Sequence, residues 1–136
     1  TILRDLARLL SKKNVRICIV DERSEIAAMN DGSSSFELGD FTDVLNGVKK
    51  SIGMTMVLRA MAPDVIITDE IGTQADADAI ERAINSGTKI ITSTHGYSLD
   101  AVKLRGDING SLPYFNKVIV LSKRNGAGTV EKVIDI

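Results

Sequence analysis

One cysteine, an aromatic content of 4% and a formal net charge of -1 remove several chemistries at the outset. A lone Cys18 cannot form an internal disulfide and fits a reducing compartment. It lies in the run Arg16-Ile17-Cys18-Ile19-Val20, which predicts a buried structural thiol and not a reactive one. Near-neutral charge gives no global attraction to nucleic acid or anionic lipid. Few aromatics leave no evident stacking surface, so no nucleic-acid partner is expected. No apolar run approaches the roughly twenty residues that a bilayer requires, so the chain does not span a membrane by itself. A basic start followed by an apolar stretch is missing too, and no export signal is expected. Internal repeats, low-complexity tracts and linkers are likewise absent.

What is present is enough for one core. The chain has 136 residues, 43% hydrophobic and 26% charged. Apolar residues at Ile2, Leu3, Leu6, Ala7, Leu9 and Leu10 predict a helix over Thr1 to Lys13. A β-branched apolar run predicts a strand over Val15 to Asp21, and Asn30 to Asp40 reads as an exposed loop. Asp43 to Lys50 and Met54 to Met61 read as helices with a break near Gly53. Val65 to Thr68 and Lys89 to Thr94 read as strands, separated by a helix over Asp76 to Asn85 that closes at Gly87. A helix over Leu99 to Leu104 follows. Lys117 to Ser122 and Thr129 to Ile136 form a closing hairpin across Asn125-Gly126-Ala127-Gly128. Strands alternating with helices predict an α/β class, with a mostly parallel sheet covered on both faces.

In such sheets the working groups gather at the carboxyl ends of the strands. Three strands here end in polar, chemically capable residues: Asp21-Glu22-Arg23-Ser24-Glu25, Asp69-Glu70-Ile71-Gly72, and Thr92-Ser93-Thr94-His95-Gly96. The second is the sharpest. Val65-Ile66-Ile67-Thr68 followed by Asp69-Glu70 is a Walker B pattern. A buried strand holds such an Asp rigidly, so that it orients the water shell of a nucleotide-bound Mg²⁺. The Glu beside it polarises the attacking water. The plainer reading is a strand running into an acidic turn, which is common. Ser93, Thr94 and His95 offer donors that sense a γ-phosphate, although a lone His after a strand is more often a surface residue. No G-x-x-x-x-G-K-[ST] loop occurs, and Gly126-Ala127-Gly128 is no substitute, lacking a following Lys-[ST]. Residue chemistry therefore leaves two outcomes: a non-nucleotide α/β protein, or a P-loop protein without its phosphate loop.

Thr1-Ile2-Leu3-Arg4-Asp5-Leu6-Ala7-Arg8 resembles the helix after the Gly-Lys-Thr of the stage III sporulation protein AA family. Further likeness follows in order at Val20-Asp21-Glu22-Arg23-Ser24-Glu25-Ile26-Ala27, Thr42-Asp43-Val44-Leu45 and Leu58-Arg59-Ala60-Met61-Ala62-Pro63. It continues through Val65 to Gly72, Thr94-His95-Gly96 and Leu104-Arg105. The family is similar to the hexameric ATPases of type II and type IV secretion. The resemblance implies a RecA-like P-loop core binding ATP and Mg²⁺, with residues 1–136 as a C-terminal core domain lacking its first strand and phosphate loop. By that resemblance Asp69 is the Mg²⁺-water ligand and Glu70 the general base. Glu22 falls at a second acidic motif and His95 at a histidine box, with Thr94 beside it. Arg23, Arg59 and Arg105 become candidates for phosphate or inter-subunit contacts. A salt bridge to a nearby carboxylate is the plainer role for at least one of them.

The resemblance also implies a hexameric ring, cytoplasmic and peripheral to the forespore membrane on its mother-cell side, beside membrane proteins of the sporulation complex. Because the chain opens at Thr1 and already reads as helix, we expect a trimmed piece whose own affinity for ATP is very weak. Loss of a middle strand would expose sheet edges and favour strand exchange between copies. Two readings of the parent protein stand at this point: an ATP-hydrolysing motor, and a non-hydrolysing ring-forming subunit of the same complex. A DNA-handling RecA-like protein has little support from charge or aromatic content.

Overall fold

The structure, a computed structural model, describes the backbone of residues 1–136 and the side chains of all but Asp107 and Asn109. Its centre is a four-stranded parallel sheet built from β1 (Ile17–Asp21), β4 (Thr42–Asn46), β5 (Val65–Thr68) and β6 (Lys89–Ile91). The strand order is β4-β1-β5-β6. Two short strands, β2 (Met29–Asn30) and β3 (Ser33–Ser34), form a small hairpin between β1 and β4. Helices α1 (Ile2–Ser11), α2 (Lys50–Ala60), α3 (Gln74–Asn85), α4 (Leu99–Lys103) and α5 (Gly106–Asn109) complete the layers. β7 (Lys117–Ser122) and β8 (Thr129–Asp135) pair antiparallel with each other.

Alternation along the two central strands explains the layering. Ile17 and Ile19 of β1 with Val65 and Ile67 of β5 face α1, where they meet Leu3, Ala7 and Leu10. Cys18, Val20 and Ile66 face the other way, onto Met54 and Val57 of α2 and Ala79, Ile80 and Ala83 of α3. Both faces are covered, so these strands read as unbroken apolar runs. Asp64 pins their starting ends. Its carboxylate accepts the Arg16 backbone N–H at 2.9 Å and the Arg16 guanidinium at 2.9 and 3.2 Å. Cys18 is fully buried, and that burial pushes its thiol up to about 12. Thiol reagents are therefore expected to label Cys18 only as fast as the protein unfolds. Rapid labelling of folded protein would contradict this packing.

Four segments depart from the sequence-based expectation, the first being Asn30 to Asp40, where Ser33–Ser34 pairs with Met29–Asn30 and Leu38 is buried rather than exposed. Asp43 to Lys50 is not a helix; Thr42–Asn46 is a strand in parallel register with β1, from Ile17↔Thr42 to Asp21↔Asn46. Val44 and Leu45 then enter opposite core layers, which a helix over this stretch would not allow. Gly53 does not break α2, which runs straight through it. A Cβ there would lie 2.5 Å from Val20 Cγ1, so the glycine is what lets the helix approach β1. Val20 is buried and β-branched, so it has little room to yield. Gly53→Ala is expected to cost about 1–2 kcal/mol net, overpacking outweighing the helix propensity gained. A lowered urea midpoint would show it. The third expected strand is also shorter, ending at Ile91 and leaving Thr92 to Gly96 as irregular chain.

The closing hairpin forms where its glycine-rich turn predicts, but it joins no other strand among the described residues. Ile119 and Leu121 of β7 stand opposite Val133 and Val130 of β8, and all four are exposed.

Candidate functional site

The carboxyl ends of β1, β5 and β6 open on one cavity of about 420 Å³. Glu22, Arg23, Glu70, Thr94, His95 and Arg105 line it, together with Lys49 and Lys50 at the start of α2. Parallel strands in neighbouring register bring these loops together: Val20↔Thr68 aligns the ends of β1 and β5, and Ile67↔Ile91 those of β5 and β6. Arg59 is not part of this constellation. It sits in the last turn of α2, in a separate hollow with Asp78 and Arg82.

Thr68 ends β5 fully buried, its hydroxyl donating to the Val20 carbonyl at 2.9 Å. Asp69 follows with a side chain only 13% exposed. Its Oδ1 is buried and has no hydrogen-bond partner among the described residues. A buried anionic oxygen left in that state costs free energy unless something arrives to satisfy it. Glu70 then turns sharply, with φ at +41° in the left-handed region. Its N–H donates to Ser93 Oγ at 3.1 Å. Its carboxylate meets Arg23 Nη1 at 3.3 Å and lies 3.9 Å from His95 Nε2. The plainer role foreseen for one of the arginines thus falls to Arg23, whose partner is the candidate base itself.

His95 lines the cavity at its open side, its side chain 90% exposed. Thr94 Oγ1 donates to the Ile71 carbonyl at 3.4 Å and accepts from Arg105 Nη1 at 3.3 Å. Arg105 Nη1 also donates to the His95 carbonyl at 2.8 Å, so this guanidinium fastens the loop after β6. Glu22 behaves differently from Arg23. Its Oε2 accepts the backbone N–H of Lys50 at 3.1 Å and lies 3.6 Å from Lys50 Nζ. α2 has no side-chain cap of its own, and Glu22 supplies that acceptor from across the sheet.

Asp21, grouped in sequence with the acidic strand end, is wholly structural. It is fully buried and accepts the N–H groups of Glu25, Ile26 and Ala27 at 2.9, 3.0 and 2.8 Å. Lys50 is the residue that sequence reasoning missed. It is 8% exposed, and its Nζ donates to the Glu70 carbonyl at 3.2 Å and lies 3.7 Å from Asp69 Oδ1. The only signal was a Lys in a segment read as a helix end, with nothing to mark it as buried.

Mg²⁺ and a phosphate would make different demands on these residues. Asp69 Oδ1, buried and without a hydrogen bond, is the kind of oxygen that a metal-bound water satisfies. A phosphate cradle is not among these residues. At the start of α3, Thr73 Oγ1 accepts the Asp76 N–H while Asp76 Oδ2 accepts those of Gly72 and Thr73, so these three donors are taken. No three His, Cys, Asp or Glu side chains converge as a metal cluster among the described residues.

Comparison with known proteins bears on these residues as a set. The family described as "Sporulation stage III, protein AA" matches residues 1–136, the whole chain. The chain belongs to this family. It is 41% identical to stage III sporulation protein AA of Bacillus subtilis over 142 aligned positions, covering 99% of the chain and 46% of that protein. The chain therefore spans less than half of that relative. Protein SEEDLING PLASTID DEVELOPMENT 1 of Arabidopsis thaliana is 29% identical over 75% of the chain and 15% of its own length. The protein ycf45 of Porphyra purpurea is 27% identical over 93% of the chain and 23% of its own. Family membership links the chain to stage III of sporulation. No helix among the described residues is long and apolar enough to cross a membrane.

Proposed function

We propose that the chain is the metal-facing and γ-phosphate-sensing part of an ATP-hydrolysing motor that acts in sporulation, with the phosphate grip supplied from outside residues 1–136. The observation that carries this reading is the Asp69–Glu70 pair: a buried carboxylate oxygen that accepts no hydrogen bond, followed by an acidic residue in a strained backbone conformation, at the end of a buried parallel strand. Such strain persists where surrounding structure enforces it, and it clusters at working sites. The parallel sheet with chemistry at its carboxyl ends is the support for a RecA-like P-loop core.

Asp69 would hold Mg²⁺ through a water, and Mg²⁺ bound there with ATP would neutralise charge on the transferring phosphoryl group. Glu70 takes the proton of the attacking water once Arg23 moves off its carboxylate. Thr94 and Arg105 fix the loop that presents His95. Arg59, outward on α2, is left for a contact between subunits. The secretion-type motor, the ring, the membrane partners and the mother-cell location follow from the family resemblance and belong to this same proposal.

Magnesium titration of ATP hydrolysis by the full-length protein tests it. Asp69→Ala is expected to weaken the apparent Mg²⁺ affinity about 10–100-fold, as loss of an outer-shell metal partner does. An unchanged Mg²⁺ midpoint would remove Asp69 from that role. No hydrolysis by the intact parent would favour the non-hydrolysing ring-forming subunit.

A further inference from the structure

A lysine with 8% of its surface exposed needs a reason, because a buried ammonium is costly unless it is paired and hydrogen-bonded. Lys50 opens α2, and three oxygens from the ends of two strands, β1 and β5, surround its Nζ. The Glu70 carbonyl accepts at 3.2 Å, Glu22 Oε2 lies at 3.6 Å and Asp69 Oδ1 at 3.7 Å. Its own backbone N–H donates to that same Glu22 oxygen at 3.1 Å. One residue therefore binds the end of β1, the end of β5 and the start of α2.

The geometry points to Lys50 as the positioning residue of this site: its ammonium pairs with the Asp69 carboxylate and fixes the left-handed Glu70 peptide that aims the Glu70 side chain. Two observations carry this. Asp69 Oδ1 has no hydrogen bond, so the ammonium 3.7 Å away is its charge partner. Glu70 at φ +41° is secured on both sides of its peptide units, by Ser93 at its N–H and by Lys50 at its carbonyl. Neither contact reaches the cavity-facing carboxylate, which remains with Arg23 and His95. Lys50 thus acts through Asp69 and Glu70.

The inference rests on the reading of Asp69 and Glu70 as the working pair, and its test has one arm that does not need turnover. In the full-length protein, Lys50→Met, Asp69→Asn and the double variant are melted in parallel. Lys50→Met leaves a buried carboxylate without a counter-charge and is expected to lower Tm by about 10 °C. The double variant removes that carboxylate's charge and is expected to recover a good part of the loss, the signature of direct coupling. Tm shifts that simply add would overturn the proposal. If Lys50→Met yields no folded protein, the double variant decides: folding is expected, and a double variant as unfolded as the single overturns it.

The second arm reads kinetics. Lys50→Met is expected to lower kcat for ATP hydrolysis about ten- to a hundredfold with KM little changed, since misplacing a reacting group affects the chemical step. A raised KM with unchanged kcat would make Lys50 a nucleotide contact and overturn the positioning role. A parent with no hydrolysis would sink the motor reading alone, because the melting arm would still report on Lys50.

Discussion

Glu70→Gln is expected to leave ATP binding nearly unchanged and to slow hydrolysis by about two to four orders of magnitude, the usual contribution of a positioned base. Gln keeps the size and hydrogen-bonding reach of Glu but cannot accept the proton of the attacking water. The Arg23 ion pair lost with it is exposed on both sides and contributes little to stability, so folding is not the cause of the loss. Nucleotide titration beside a hydrolysis assay in the full-length protein separates the two effects. Full turnover in the variant would remove Glu70 as the base. Glu70→Gly sharpens the same point. At φ +41° a side chain strains the backbone, and glycine relieves that strain. This variant is expected to melt no lower than the parent and still to lose hydrolysis. Stability and activity would then move apart at one residue, as expected where strain is retained for function.

That conformational detail was out of reach of the sequence, whereas the pair itself was legible. Val65 to Thr68 is a continuous apolar run because both faces of β5 are covered, and Asp69-Glu70 is conspicuous at its end. β1 was legible for the same reason, and the terminal hairpin announced itself through Asn125-Gly126-Ala127-Gly128. β4 was not, since Thr42-Asp43-Val44-Leu45-Asn46 carries a charge at its second position and only pairing with β1 makes it a strand. Gly53 misled through propensity: glycine weakens a helix by about 1 kcal/mol, yet here the contact with Val20 requires it. Lys50 was hidden by distance along the chain. Its partners Glu22 and Asp69 lie far from it in sequence, and a basic residue beside Lys49 looks like an ordinary solvated face. Nothing local distinguishes a lysine that the tertiary fold will bury.

Asp21→Ala is expected to be the most damaging substitution for stability, costing about 4 kcal/mol or more. The carboxylate is fully buried and satisfies three backbone donors, from Glu25, Ile26 and Ala27. Each donor left unsatisfied inside costs about 1–3 kcal/mol, and two of the three belong to the buried Ile26 and Ala27. A domain holds only about 5–15 kcal/mol in total, so the variant stands near the edge of folding. The turn also carries left-handed residues at Ser24 and Ala28, which the Asp21 clamp holds in place. Asp21→Asn keeps the shape and one acceptor oxygen, and is expected to lose about half as much. Urea unfolding with an unchanged m-value would register both losses, and a change below about 1 kcal/mol in the Ala variant would refute the clamp. The turn that Asp21 holds is the one that presents Glu22 to α2 and Arg23 to Glu70. Two neighbouring acids at the end of β1 therefore divide the work: Asp21 shapes the loop from within, and Glu22 ties that loop to Lys50.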